Sequence, residues 1–327
     1  MLFPVKVQYY KGLTKALKGA AAVIPMPKPT LFSGADASLE LCDAISHLGI
    51  QKLLLVTDKV LVEIGLLKDI EARLAKHGIK VVIYDGILPD PTYDQVEAGL
   101  ELLKKNKCEG ILAVGGGSPI DASKAIAARA TNNKPLEKMA GLFKLRSAPL
   151  PLFVVPTTAG TGSEVTIVSV VSDPETHQKT PIIDPKLVPA MAALDGKLML
   201  GLPPSVTAAT GMDALTHAIE SYISTNATDE TRSYALAATK LIMENLETAV
   251  HDGKNFEARQ TWRWLPIMPA SPLPKLALAM YMLLRIILVR SIQRLMVWRT
   301  PLCCLIYWIF PNRTLFLNWQ NWQRLAA

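Results

Sequence analysis

The chain has 327 residues, 19% of them charged, a formal net charge of +7 and four cysteines. That length suits a large two-domain protein with ample core. The positive balance is local. Eight of the 35 Lys and Arg lie between Thr261 and Ala327, a stretch with no Asp or Glu and with all six Trp. Residues 1–260 therefore hold 27 basic against 28 acidic side chains, so the body carries no basic footprint for nucleic acid.

The opening segment "MLFPVKVQYYKGLTK" lacks the apolar core of a secretory signal. Cys42, Cys108, Cys303 and Cys304 show neither metal nor disulfide-framework spacing, and a reducing cytoplasm is expected.

"KLLLVTD" (52–58) is expected as a strand ending in a polar turn, and "LLKDIEARLAKHG" (66–78) as a helix stopped by Gly78. "KVVIYDG" (80–86) reads as the next strand, and "TYDQVEAGLELLKKNKC" (92–108) as a helix with Thr92 as a possible cap. "GILAV" (110–114) and "LPLFVVPTT" (150–158) are continuous apolar runs of the kind buried in parallel sheets. Strands alternating with helices predict a mostly parallel α/β domain over 1–204. From Pro204 the pattern is wholly helical, through "SVTAATGMDALTHAIESYIS" and "TRSYALAATKLIMENLETAV". Residues 205–260 read as the start of a helical domain, and 261–327 as an aberrant basic tail without a native fold. The tail's longest uncharged run, Thr300–Asn312, contains two prolines and falls short of the roughly 20 residues of a membrane span. Its arginines at 285, 290, 294 and 299 are near helical spacing, so a membrane-surface or nucleic-acid-seeking tail on a nucleotide-binding remnant stands as the alternative reading.

Four stretches carry chemistry. In "GGGSPIDASKAIA" (115–127), Gly115, Gly116 and Gly117 allow a tight turn, Ser118 is placed to cap and Pro119 suits a first helical turn. The expected ligand of that helix start is a pyrophosphate, although the usual GxGxxG spacing is absent. In "PTTAGTGSEVT" (156–166), Thr157, Thr158 and Thr161 interleave with glycines where a parallel strand ends, either lining a ligand or hydrogen-bonding one another. Asp58 follows an early strand, where it would accept a ribose diol or cap the next turn. In "GMDALTHAIES" (211–221), Asp213 and His217 stand four apart on one helical face, close enough to share a metal ion or merely to share a surface.

Together "TDK", "GGGSPID", "PTTAGTGSE" and "GMDALTHAIE", in this order, resemble the iron-containing (group III) alcohol dehydrogenases, from about Pro29 to about Gln260. The resemblance implies a dinucleotide-binding domain followed by an all-helical domain (a dehydroquinate synthase-like architecture), with a metal in the cleft between them. It implies NAD-linked oxidation of a small alcohol to an aldehyde or ketone, Fe²⁺ or Zn²⁺ as the metal, and a homodimer. Asp58 would meet the adenosine ribose. Gly115–Gly117, Ser118 and Asp121 would hold the pyrophosphate region, and Thr157, Thr158, Thr161 and Lys179 the rest of NAD. Asp213 and His217 would be the first two metal ligands. Related enzymes acting on polyols or phosphates share this architecture.

The family's two further histidines, in motifs resembling "GYVHAIAH" and "TPHGLAN", are absent, and the last histidine is His251. After residue 260 the only other side chains of ligand type are Cys303 and Cys304. A shifted reading frame accounts for this. If each codon takes the last base of one displayed codon and the first two of the next, Pro266 onward can encode AYYAGLAFTKASLGYVHAI, and Arg294–Thr300 can encode PHGLAN. Two bases of most shifted codons are fixed by the displayed residues, so a chance match of this length is improbable. The helical domain is therefore expected to be incomplete and the dehydrogenase impaired. The gene sequence tests this: TAC is expected for Tyr281, and any other codon there removes the shifted histidine and ends the reading.

Overall fold

The computed structural model describes residues 27–224 and 227–262, with the backbone alone for 260–262. Six strands form one sheet in the order β1-β9-β6-β4-β2-β3, every pair parallel. They are β1 (Thr30–Ser33), β2 (Lys52–Val56), β3 (Lys80–Tyr84), β4 (Gly110–Gly115), β6 (Leu152–Pro156) and β9 (Met191–Leu194). The central strands bury residues on both faces, which is why they read as unbroken apolar runs. Leu54, Val56, Ile111, Ala113 and Val154 enter the core on one face. Their neighbours Leu53, Leu55, Leu112, Val114, Phe153 and Val155 enter the other.

Helices cover both faces. α1 (Ala37–Ser46) and α3 (Lys68–Lys76) lie on the second face, the latter reached through the short α2 (Lys59–Glu63). α4 (Tyr93–Asn106) and α5 (Gly117–Thr131) lie on the first. The change of face follows from strand order. The chain steps outward from β2 to β3, then crosses back over β2 to β4, and a right-handed crossover in the opposite direction puts its helix on the opposite side. α3 ends at Gly78 (φ +75°), where the Ile79 N–H returns to the Leu74 carbonyl, so the expected glycine stop is present. Thr92 occupies the residue before α4, but its side chain makes no capping bond.

Not foreseen was a second sheet, ordered β5-β8-β7. It holds β5 (Gly141–Leu142), which follows the short α6 (Leu136–Met139), together with β7 (Val168–Ser172) and β8 (Lys179–Ile183). β7 and β8 are antiparallel, and β5 pairs with β8 in parallel.

The chain then turns helical with α7 (Pro204–Ile223), α8 (Asp229–His251) and α9 (Phe256–Trp262). α8 opens on a capping box in which the Thr228 hydroxyl accepts the Thr231 N–H and the Thr231 hydroxyl accepts the Thr228 N–H. Ala214, Leu215, Ala218, Ala238, Ile242 and Ala249 form the core of this part, joined by Ala159 from the loop after β6. Arg259 is fully buried and donates to Thr207 Oγ1 at 2.7 Å, tying α9 to the start of α7. Tyr222 and Ile223 of α7 and Tyr234, Leu236 and Met243 of α8 are exposed large apolar side chains. Apart from residues 261 and 262 at the end of α9, the basic tail lies outside the described residues, as does the amino-terminal segment. Among the described residues no helix is long and apolar enough to cross a membrane.

Phe153 is fully buried in β6 between β4 and β9, so its packing bears on the whole sheet. Phe153→Ala is expected to destabilise the fold by about 3–5 kcal/mol, measured as a shift in chemical denaturation midpoint.

Candidate functional site

The site grows from the carboxyl ends of β4 and β6, which are neighbours in register, Gly115 opposite Pro156. The chain leaves β4 through Gly115 at φ +155°, and a Cβ there would lie 2.6 Å from Pro119 Cγ. Only glycine fits this turn. α5 starts at once, with Gly116 at its N-cap and no side chain capping it. The first-turn N–H groups and the helix dipole there suit an anion.

The loop after β6 lies alongside. The Thr157 N–H donates to the Gly115 carbonyl at 3.0 Å. Thr158 borders Gly116, where a Cβ would be 3.4 Å from its Oγ1, and Thr161 borders Gly117, where a Cβ would be 2.9 Å from its Cγ2. The two glycines thus let the two threonine side chains pack directly against the backbone. The structure brings Gly115, Gly116, Gly117, Thr157, Thr158 and Thr161 into one cradle.

Ser118 lies in this first turn, but not as the cap. Its Oγ accepts the Asp90 N–H at 3.3 Å, because the helix begins two residues earlier than a Ser118 cap requires. Asp90 was missed in the sequence. It sits at φ +61° in the loop after β3, and its Oδ1 accepts the Ser172 hydroxyl at 2.9 Å and pairs with Lys179 Nζ at 3.4 Å. Asp90 therefore places Lys179, which starts β8, at the rim of the cradle. The one sequence signal was an Asp-Pro pair closing a turn.

Asp121 points inward. Its Oδ2 accepts the Val170 N–H at 3.0 Å, and burial raises its carboxyl pKa against the opposing pull of Lys124. It shapes the cradle from beneath. Asp58 follows β2, across the strand-order reversal from Gly115, where open α/β sheets bind ligands. It also caps α2, its Oδ1 accepting the Leu61 N–H at 3.1 Å. Both sequence readings of Asp58 are compatible with this geometry, since a carboxylate has a second oxygen.

On α7, His217 Nε2 and Asp213 Oδ1 lie 3.9 Å apart, with the His side chain 19% exposed and the Asp 46%. The i, i+4 spacing brings them together as expected. No group of three or more His, Cys, Asp or Glu side chains placed to hold a metal occurs among the described residues. Two donors are too few to hold a divalent ion firmly, so this pair fits part of a metal site and not a whole one. The start of α5, by contrast, suits a dinucleotide pyrophosphate: no side chain caps it, and Gly116 and Gly117 let a ligand come close to the backbone.

Gly160 joins the two halves. A Cβ there would fall 2.4 Å from the Thr210 carbonyl oxygen, on the α7 turn before Asp213. That neighbour is helix backbone and cannot rotate away. Gly160→Ala is expected to push α7 off the loop, costing about 1–3 kcal/mol of stability in thermal melts and weakening nucleotide binding alongside.

Residues 28–196 match the family model for iron-containing alcohol dehydrogenases, and residues 207–271 match the C-terminal model of the Fe-containing alcohol dehydrogenase family. Alcohol dehydrogenase 4 of Schizosaccharomyces pombe is 40% identical over 246 residues, covering 75% of this chain and 58% of that protein. The NAD-dependent methanol dehydrogenase of Bacillus methanolicus is 37% identical over 240 residues, covering 73% of this chain and 63% of that protein. The crystal structure of a 1,3-propanediol oxidoreductase superposes with a TM-score of 0.73 at 38% identity, covering 76% of this chain and 65% of that one. The chain thus spans about 60% of the length of the curated relatives it matches. With the first family model alone matching more than half of its residues, the chain belongs to the iron-containing alcohol dehydrogenase family.

Proposed function

We propose that the gene behind this chain specifies an NAD-dependent, metal-dependent alcohol dehydrogenase acting on a small alcohol or aldehyde, and that a polypeptide of residues 1–327 alone holds the cofactor but transfers hydride poorly. The observation that carries the reading is the seam between two loops and one helix. A pyrophosphate cradle built from Gly115–Gly117, Thr158 and Thr161 is held through Gly160 against the helix that bears Asp213 and His217. Family membership and the NAD-dependent relative support hydride exchange with a nicotinamide as the chemistry.

In this reading NAD, when bound, supplies the hydride acceptor. The first turn of α5 holds its pyrophosphate, Asp58 offers an oxygen to the adenosine ribose, and Lys179, set by Asp90, neutralises charge at the rim. A carboxylate on that ribose disfavours a 2′-phosphate, which is the ground for NAD over NADP. Asp213 and His217 supply one carboxylate and one imidazole toward Fe²⁺ or Zn²⁺. Among the described residues the donors stop at two. The remaining donors are proposed to be the histidines of the shifted frame, which the displayed residues after His251 do not contain. A homodimer, and a reducing cytoplasm in keeping with the unpaired buried thiols of Cys42 and Cys108, complete the proposal.

The test uses two proteins, residues 1–327 as displayed and a chain with the frame restored after residue 260. Both are expected to bind NADH. Only the restored chain is expected to oxidise a primary alcohol with added Fe²⁺ at an ordinary enzymatic rate, about 1–1,000 per second. Turnover in that range by residues 1–327 would refute the impairment, and no turnover by either would refute the alcohol dehydrogenase assignment.

A further inference from the structure

One charged side chain is wholly inside the cofactor half and has no place in the proposed chemistry. Lys124 is 0% exposed, on the second turn of α5. Its Nζ donates to the Thr166 carbonyl at 2.7 Å, to Thr166 Oγ1 at 2.9 Å and to the Val168 carbonyl at 2.8 Å. Those three acceptors use all three N–H bonds of an ammonium, and a neutral amine would lose one. One turn back, Asp121 accepts the Val170 N–H through its side chain and the Ser169 hydroxyl through its carbonyl. Residues 121 and 124 of one helical face thus grip 166–170, the segment leading from the threonine loop into β7.

We propose that Lys124 is a positioning residue for the cofactor: its ammonium staples the end of the 156–166 loop to the helix whose N-terminus receives the pyrophosphate, and so sets the width of the cradle. The bonds run from the helix that forms the floor to the segment continuous with the wall, so losing the staple releases Thr158 and Thr161 from Gly116 and Gly117. The charge matters as well as the reach. Asp121 on the same helix and Glu164 on the short 3-10 turn at Ser163–Val165 both favour the charged amine, and Lys179 on β8 acts in turn on Asp121. Burial opposes them and brings the Lys124 pKa from 10.5 down to about 8. The sign is informative. A folded pKa below the unfolded one means the fold itself gains stability from Lys124 as pH rises through about 8 toward 10.5, since the unfolded chain keeps its proton longer. Cofactor binding has the opposite slope, because the neutral amine is a weaker staple and no longer attracts an anion.

The inference rests on the nucleotide-binding reading, and its test separates the two. NADH affinity is measured by fluorescence titration for the wild-type chain, Lys124→Met, Lys124→Arg and Thr166→Val, with melting temperature followed on the same samples. Lys124→Met is expected to weaken NADH binding about tenfold or more, with Lys124→Arg partly restoring it. Between about pH 7 and about pH 9, wild-type affinity is expected to fall while Lys124→Met stays flat and the wild-type melting temperature gains on that of the variant. If Lys124→Met does not fold, Thr166→Val carries the test, and an affinity unchanged from wild type overturns the proposal. A folded Lys124→Met that binds NADH within about twofold of wild type, with the same pH profile, overturns it too. A wild-type chain that binds no NADH at all defeats the nucleotide reading and this inference with it.

Discussion

The site depends on a single adjacency, the pairing of β4 with β6 carried one residue past the sheet. The Thr157 N–H to Gly115 carbonyl bond continues the ladder beyond Pro156 and brings two loops of different origin side by side. A parallel ladder ends with its N–H and C=O groups facing outward at the carboxyl edge, so whatever follows each strand must lie over that edge. Here a glycine run follows one strand and a threonine-glycine run the other. The first can lie flat because it lacks Cβ atoms, and the second stands beside it because its side chains find that empty space. The cradle is thus a consequence of strand order together with the absence of side chains at 116 and 117.

The same adjacency reaches the helical part. Ala159 enters the helical core and Gly160 meets the α7 backbone, so the loop that walls the cradle also seats the helix bearing Asp213 and His217. The glycine-threonine cradle and the Asp213–His217 pair are therefore fixed relative to each other through two small residues. Small residues suit that task because a backbone-to-backbone contact has no rotamer through which to relax.

Much of this was legible beforehand, for identifiable reasons. β2, β4 and β6 are buried on both faces, which forces continuous apolar runs, and α3, α4, α7 and α8 carry an unbroken helical period. The small sheet was not legible. Val168–Ser172 alternates weakly and Lys179–Ile183 contains Pro181, so neither looks like a strand until the other supplies its partner. Ser118 misled because serine is a good cap, yet Gly116 took that position and the hydroxyl turned to Asp90. Asp90 needed a left-handed backbone that composition does not announce. Nothing in the local sequence marks Lys124 for burial, since burial of its charge depends on acceptors 42 and 44 residues away in the chain.

What the chain carries after His251 bears on the metal more than on the fold. The α/β half closes its two cores with its own helices, and α9 is anchored by Arg259 buried against Thr207. A metal site is different in kind. Its affinity comes from several donors converging from separate helices, and each missing donor must be replaced by water or left out. Asp213 and His217 share one helix, so their separation is set locally by the i, i+4 period and survives any change downstream. Convergence, by contrast, requires residues on other elements. Functions encoded by one strand-loop-helix unit rest on local sequence, whereas a metal site requires distant helices to meet.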